Sequence, residues 1–379
     1  MAVSWPRNFG ILLEVIVNKI IKYCIVKVLR FSIKLILFFP CFILDLLFKI
    51  YNSKSNYIEL LNVDEINLEK LDLKSKSSCL ISFIIPVYNT EEYLEDCIKS
   101  IYIDNPSVEY IFVNDKSPDK SYIILDKYKG MANVKVINNL ENVGLGASRN
   151  LGIMQASGEY VYFMDSDDFV SDNAVDTMLS IIKKYEFDVC QGLVERFYTG
   201  TKFRPSLGNK IYEHDYCNDS VEGYACGKLI KRDLFLDISF PIGIAFEDII
   251  VKQVLLAKAS KIIVTNFFSY AYRENLNSIS FNFSKGKSSS DQYKSIRFLL
   301  LCVDKCNIEM HENAFKLLSR ECTRMLINRT RCLSINQVGC LIDQLLLDSL
   351  VDTSLTYQPW YISFLYKFKF IIVLRLIFR

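Results

Sequence analysis

Residues 80–89, "LISFIIPVYN", decide how the rest of the chain is read. Ile81, Phe83, Ile84 and Ile85 make an apolar run of the kind found in strands buried on both faces. Pro86, which has no N–H for a ladder bond, is expected to stop the strand at Ile85. Thr90 is expected to cap a helix, with Glu91 and Glu92 in its first turn and Tyr93, Leu94, Cys97, Ile98 and Ile101 at helical spacing. Further strands are predicted at Tyr110–Val113, Val134–Ile137 and Tyr160–Met164, with helices near 121–128 and 147–156. Strand and helix alternate with a period of about 25–30 residues, which indicates βαβ units and a parallel sheet. Ligands of such sheets bind beyond the carboxyl ends of the strands. Pro86–Asn89, Asn114–Asp115 and Asp165–Asp168 all fall there.

Composition narrows the function classes. The 379 residues are 51% hydrophobic and 23% charged, which excludes a disordered or fibrous chain. With 45 basic against 43 acidic side chains there is no cationic excess of the kind nucleic-acid binding needs, so no nucleic-acid partner is expected. Twelve cysteines lie in apolar contexts without a CxxC pair, and are read as reduced, buried thiols. The two histidines, His214 and His311, leave carboxylates to do any acid–base work.

The chain ends are both basic and apolar. Residues 1–54 carry Arg7, Lys19, Lys22, Lys27, Arg30, Lys34, Lys49 and Lys54 against Glu14 and Asp45, and the last twenty residues carry four cations and no acid. Charges interrupt the apolar runs before they reach the ~20 residues that span a bilayer. Helices lying in the interface against an anionic membrane surface fit better, and no secretory cleavage site is seen. The expected location is therefore the cytoplasmic face of the cell membrane. The expected organisation is a membrane-associating segment 1–54, a linker 55–79, and an α/β region in two halves, 80–200 and 201–285. A helical region 286–345 and a basic amphipathic tail 346–379 follow.

Three groups of residues carry chemistry. Asp165, Asp167 and Asp168, at the end of an apolar strand, crowd negative charge that a cation would relieve; carboxylates without His or Cys suit Mg²⁺ or Mn²⁺. In "GLGASRN" Arg149 occupies the third glycine position of a dinucleotide fingerprint, which excludes that motif. The same arginine is a fixed cation able to bond a diphosphate or an acidic side chain. Glu247–Asp248 is either a catalytic acid pair or a helix N-terminal one.

Together, "SFIIPVYNTEEYLEDCIKSI", "VNDKSPD", "NVGLGASRNLGI", "GEYVYFMDSDDF", "CGKLIKRDLF" and "FEDI" resemble a family 2 glycosyltransferase of the GT-A fold over roughly residues 80–280. The resemblance implies an α/β, Rossmann-like, mostly parallel sheet flanked by helices. It further implies inverting transfer of one sugar from a nucleotide diphosphate sugar, UDP favoured, to an acceptor hydroxyl. Pro86, Tyr88, Asn89 and Asp115 would lie along the nucleotide. Asp165, Ser166, Arg149, Lys228 and Arg273 would be grouped near the diphosphate or acceptor, with structural ion pairs the other use of the last two. Asp165 and Asp167 would hold the metal, and Asp248, then Glu247, would be the base. The family often has two aspartates at Asn114–Asp115 and a glycine at Lys116. No QxxRW motif is present, so single addition is expected rather than processive synthesis. With the basic ends, the acceptor is expected to be a glycan, lipid-linked in bacterial surface polysaccharide synthesis. The rivals are a nucleotidyltransferase making an activated sugar and a non-catalytic membrane-associated partner.

Overall fold

Strand β1 (Ile81–Val87) is buried along its whole length between β2 (Val108–Asn114) and β4 (Tyr160–Phe163), both parallel to it. β3 (Val134–Asn138) continues the sheet parallel to β2. Phe83 stands level with Tyr110 on one side and Tyr162 on the other, ring centroids 5.5 and 5.1 Å apart, so three strands share one aromatic ladder. The strand runs through Pro86 rather than stopping at Ile85. Met164 N bonds Ile84 O, so this parity of β1 faces β4, and an N–H at position 86 would be the next rung. Without it the β1–β4 pairing ends at Ile84–Phe163, while the pairing with β2 continues to Val87.

Helices α1 (Leu94–Ile101), α2 (Ser121–Asp126) and α3 (Leu145–Gln155) connect these strands, and α4 (Ala174–Lys184) follows them. Thr90 is not the side-chain cap of α1. A turn, Glu91–Tyr93, precedes the helix, Tyr93 and Leu94 donate to the Thr90 carbonyl, and the Thr90 hydroxyl bonds Ser166 Oγ at 2.9 Å. The buried face of α1 is Leu94, Cys97, Ile98 and Ile101, as the spacing requires.

Beyond β4 the sheet continues with β8 (Lys228–Lys231), β6 (Val189–Tyr198), β9 (Ile262–Glu274) and β5 (Phe169–Val170), and β7 (Ile211–His214) also pairs with β9. β8 is antiparallel to both β4 and β6, β6 and β9 are parallel, and β5 and β7 are antiparallel to β9. The architecture is thus α/β with one nine-stranded sheet, parallel across β3-β2-β1-β4 and mixed beyond. The expected halves 80–200 and 201–285 share that sheet.

This computed structural model describes residues 70–75, 78–244 and 247–274 with scattered positions between Ser295 and Ile308, all within one unit, Leu60–Cys332. The expected segments 1–54 and 346–379, nearly all of 286–345, and most of 55–79 lie outside them, as does "KGKSSS". Among the described residues no helix is long and apolar enough to cross a membrane. Among the described residues no cysteine is in a disulfide, and Cys79, Cys97, Cys190, Cys226 and Cys302 are buried.

Candidate active site

Because β1, β2 and β4 are parallel, their carboxyl ends share one edge. β1 ends in exposed Tyr88 and Asn89, the latter at φ +56°, its N–H bonding Ser117 Oγ at 2.8 Å. β2 ends in Asn114, Asp115 and Lys116. The Asn114 side chain donates to Asn138 Oδ1 (2.9 Å) and accepts from Ser117 N (3.0 Å). An ionised aspartate has no proton for the first bond, which accounts for asparagine here. Asp115 is buried and fully engaged: Oδ1 accepts from Asn139 Nδ2 and Val143 N, and Oδ2 from Gly144 N, all at 2.8 Å. It fixes the loop that leads into α3. That loop needs its glycines, since Gly144 sits at φ +86° and a Cβ on Gly146 would meet the Pro241 carbonyl oxygen at 2.2 Å. Lys116 occupies the left-handed region at φ +55°, the conformation that favours the glycine often found there, and its Nζ donates to Leu140 O (2.9 Å).

The "DSDD" loop follows β4. Ser166 is buried and tied to Thr90, locking the β1 and β4 ends together. Asp168 is turned inward: Oδ2 accepts from Tyr270 Oη (2.6 Å) and Oδ1 from Arg273 N (2.7 Å). Burial, then the charges of Asp167 and Asp165, hold its carboxyl well above the usual range. Asp167 is pushed up to about 6 by burial and by Asp165. Arg273 donates Nε to Asp167 O (2.7 Å), and its guanidinium lies over Tyr93 and Phe197, 4.4 and 4.8 Å from the ring centroids. It clamps the loop from behind.

Arg149 is the centre of the arrangement. It comes from α3, is 1% exposed, and joins three acids from two places in the chain. Nη1 donates to Glu247 Oε1 (2.8 Å) and Asp248 Oδ1 (2.7 Å), and Nη2 to Asp165 Oδ1 (3.1 Å). Its partners within the protein are acidic side chains. Burial alone would weaken its proton affinity; the charges of Asp248, Glu247 and Asp165 outweigh that and raise it well above the usual value. Glu247 is raised to about 7, chiefly by burial, with Arg149 opposing and Asp248 adding. Asp248 is raised by burial against the pull of Arg149. The side chain of Asp248 is 28% exposed and that of Glu247 13%, so Asp248 is the more open. The chain continues from Asp248 into a π-turn, Val251–Leu255, a wide geometry frequent at functional sites.

Lys228 is fully buried; its Nζ donates to Tyr224 O (2.8 Å), and burial pulls its pKa down to about 8. Among the described residues no group of three or more His, Cys, Asp or Glu is arranged to hold a metal. Sequence reasoning passed over Tyr270, which bonds Asp168 and accepts from Asp165 N at 3.2 Å, and Cys226, whose Sγ lies 3.8 Å from Arg149 Nη2. Residues this far apart leave no periodic signal. The inward turn of Asp168 was foreshadowed only by a third acid in a loop where two suffice for a metal.

One arginine thus ties an acidic loop to a second acid pair at the carboxyl edge of the sheet. The family model for Glycosyl transferase family 2 matches residues 82–239. Glycosyltransferase GlyG of Streptococcus pneumoniae serotype 4 is 30% identical over 221 residues, 53% of this chain and 72% of that protein. Glycosyltransferase GlyA of the same organism is 35% identical over 217 residues. There the match spans 53% of this chain and only 31% of the relative. The poly(ribitol-phosphate) beta-glucosyltransferase of Bacillus spizizenii is 34% identical over 202 residues, 51% of this chain and 32% of that one. S. aureus TarS 1-349 in complex with UDP-GlcNAc superimposes with TM-score 0.60 at 22% identity, over 77% of this chain and 90% of that chain. The chain belongs to the family 2 glycosyltransferases.

Proposed function

We propose that the protein moves one sugar, with inversion, from a UDP-sugar to an acceptor hydroxyl of a glycan, lipid-linked at the cytosolic membrane face, in bacterial surface polysaccharide synthesis. The observation that carries this is the Arg149 junction, which ties Asp165, on the loop that would face the donor diphosphate, to the acid pair Glu247–Asp248. Departure of the diphosphate and deprotonation of the acceptor must happen together at one sugar carbon, and one guanidinium sets the spacing of the groups serving each. The complexes of S. aureus TarS with UDP-GlcNAc and with UDP support the choice of donor.

Asp165 and Asp167 would hold Mg²⁺ or Mn²⁺. They fit such an ion: Asp167 is pushed up to about 6 by burial beside a second negative charge, and hard cations need only one or two carboxylates when donor phosphates complete the shell. The metal would supply positive charge against the charge growing on the departing diphosphate. The remaining work belongs to the protein. Tyr270 and Arg273 keep the acidic loop in one conformation, and Asp115 keeps the nucleotide-side loop closed. Asp248, the more exposed of its pair and held at 2.7 Å by Arg149, takes the acceptor proton as the new bond forms. Attack from the side opposite the diphosphate gives inversion.

Purified full-length protein with UDP-, GDP-, CMP- and dTDP-sugars, with Mn²⁺ or Mg²⁺ and then EDTA, tests the reading. Release of UDP from one UDP-sugar, lost with EDTA, is the expected result. Release of pyrophosphate from a sugar phosphate and UTP would instead mark a nucleotidyltransferase, and no donor turnover by folded protein would refute the enzyme.

A further inference from the structure

The segment between β7 and β8, residues 215–227, reaches the carboxyl edge on the side of β4 away from β1 and β2. Cys226 forms a bridge with Phe163, the last residue of β4, and so sits against the acidic loop. Three buried polar side chains fasten this segment from beneath. Gln191 donates to Ser220 O (2.9 Å) and accepts from Glu222 N (2.8 Å), Lys228 donates to Tyr224 O (2.8 Å), and Lys252 donates to Asn218 O (3.0 Å) and to Val221 O. Removing two ammonium groups from water is costly, and each is directed at the backbone of one short loop. The consequence is an upper surface held in a single shape, the condition for binding without further ordering.

At the crest of that surface stands Tyr224, 46% exposed although it neighbours a run of buried residues. Its hydroxyl lies near the guanidinium of Arg196, which is paired with Glu274 at 3.0 Å. The next residue, Ala225, turns its amide toward the Asp248 carboxylate. We propose that Tyr224 is the platform of the acceptor subsite and receives the face of an uncharged pyranose ring, one hydroxyl of which then meets Asp248. A pyranose presents a patch of C–H groups that covers an aromatic face and leaves its hydroxyls at the rim. The rest of the loop favours a neutral ring over a polyanion: Asp215 and Asp219 are exposed, Glu222 is half-buried, and both lysines point inward.

This assignment rests on the glycosyltransferase reading, and the experiment separates the two. Full-length protein is given the UDP-sugar that the wild type turns over, with 4-nitrophenyl β-D-glucopyranoside or ribitol 5-phosphate as acceptor. Wild type is expected to use the pyranoside. Tyr224→Ala is expected to raise the KM for the pyranoside about tenfold while the KM for donor stays within roughly twofold, and Tyr224→Phe to keep both near wild type. The subsite is overturned if Tyr224→Ala leaves the acceptor KM alone, or raises both KM values together. It is overturned equally if wild type prefers ribitol 5-phosphate, or turns over donor and transfers to neither probe. Absence of donor turnover in wild type refutes the enzymatic reading itself, and is seen before any variant is made.

Discussion

The two sides of β4 are built on different principles. On the β1-β2-β3 side the site residues stand at the ends of parallel strands, and their places follow from ladder register and tight turns. Asp115 there bonds the backbone N–H groups of Val143 and Gly144. On the β8-β6-β9 side the site is carried on longer connections held by buried long side chains: Lys228, Lys252 and Gln191 reach backbone carbonyls, and Arg149 reaches across to Glu247 and Asp248. Backbone-built geometry tolerates loss of a side chain better than geometry built from buried charge. Substitutions on the second side should therefore be the more damaging.

The largest effect is expected at the junction itself. Arg149→Met keeps the volume but leaves Asp165, Glu247 and Asp248 facing one another without a cation, with an expected loss of about 3–5 kcal/mol of stability and of all transfer. Thermal denaturation and UDP release read the two losses. Arg149→Lys should recover only part, because one ammonium cannot serve three carboxylates as a planar fork does. If Arg149→Met folds and works normally, the contrast between the sides is wrong.

Next is Asp248→Asn, which keeps an oxygen for Arg149 but no base. Transfer should fall by roughly 10²–10⁴ while donor affinity and melting temperature stay close to wild type. Near-normal transfer would move the base to Glu247.

The same contrast explains what the sequence disclosed. The strands of the first side are legible because "LISFIIPVYN" and "GEYVYFMDSDDF" are apolar runs ended by turn residues, which puts Pro86–Asn89, Asn114–Asp115 and Asp165–Asp168 on one edge. The exact partners were not legible. Thr90 reads locally as a cap, but its hydroxyl answers to Ser166, 76 residues away. That Arg149 meets an acid pair depends on residues 98 and 99 positions later. The second side mixes parallel and antiparallel pairs, and its order cannot be read from periodicity, because neighbours in the sheet are distant in the chain.

A smaller and more specific test concerns pH. Burial raises both Glu247, to about 7, and Asp248. Asp248 must be ionised to take the acceptor proton, so kcat should decline as pH falls through its raised pKa. The charge of Asp248 helps hold Glu247 up, whereas Asp248 itself is raised by burial and by Asp165. With Asp248 as the base, Glu247→Gln should leave the acid limb of the pH–rate profile in place, with transfer retained at pH 8. A limb that moves to lower pH would show that the two carboxylates titrate as one unit.

The smallest expected effect lies on the first side, at Lys116. Asn89 and Lys116 end β1 and β2 in the same left-handed conformation, φ +56° and +55°. Asparagine tolerates that region, whereas a lysine Cβ there costs roughly 1–2 kcal/mol. Lys116→Gly relieves the strain, but glycine's greater freedom in the unfolded chain costs about 0.5–1 kcal/mol. It also removes the exposed bond from Nζ to the Leu140 carbonyl, a further contribution of about 0.5 kcal/mol. The balance should be a stability change of under about 1 kcal/mol, with a stabilising sign if strain dominates. Stabilisation in thermal denaturation, with unchanged KM for donor, means that Asp115 alone holds the loop from Asn139 to Gly144. A loss of stability accompanied by a raised donor KM means that Lys116 is its second anchor, and that even the backbone-built side depends on one long cation.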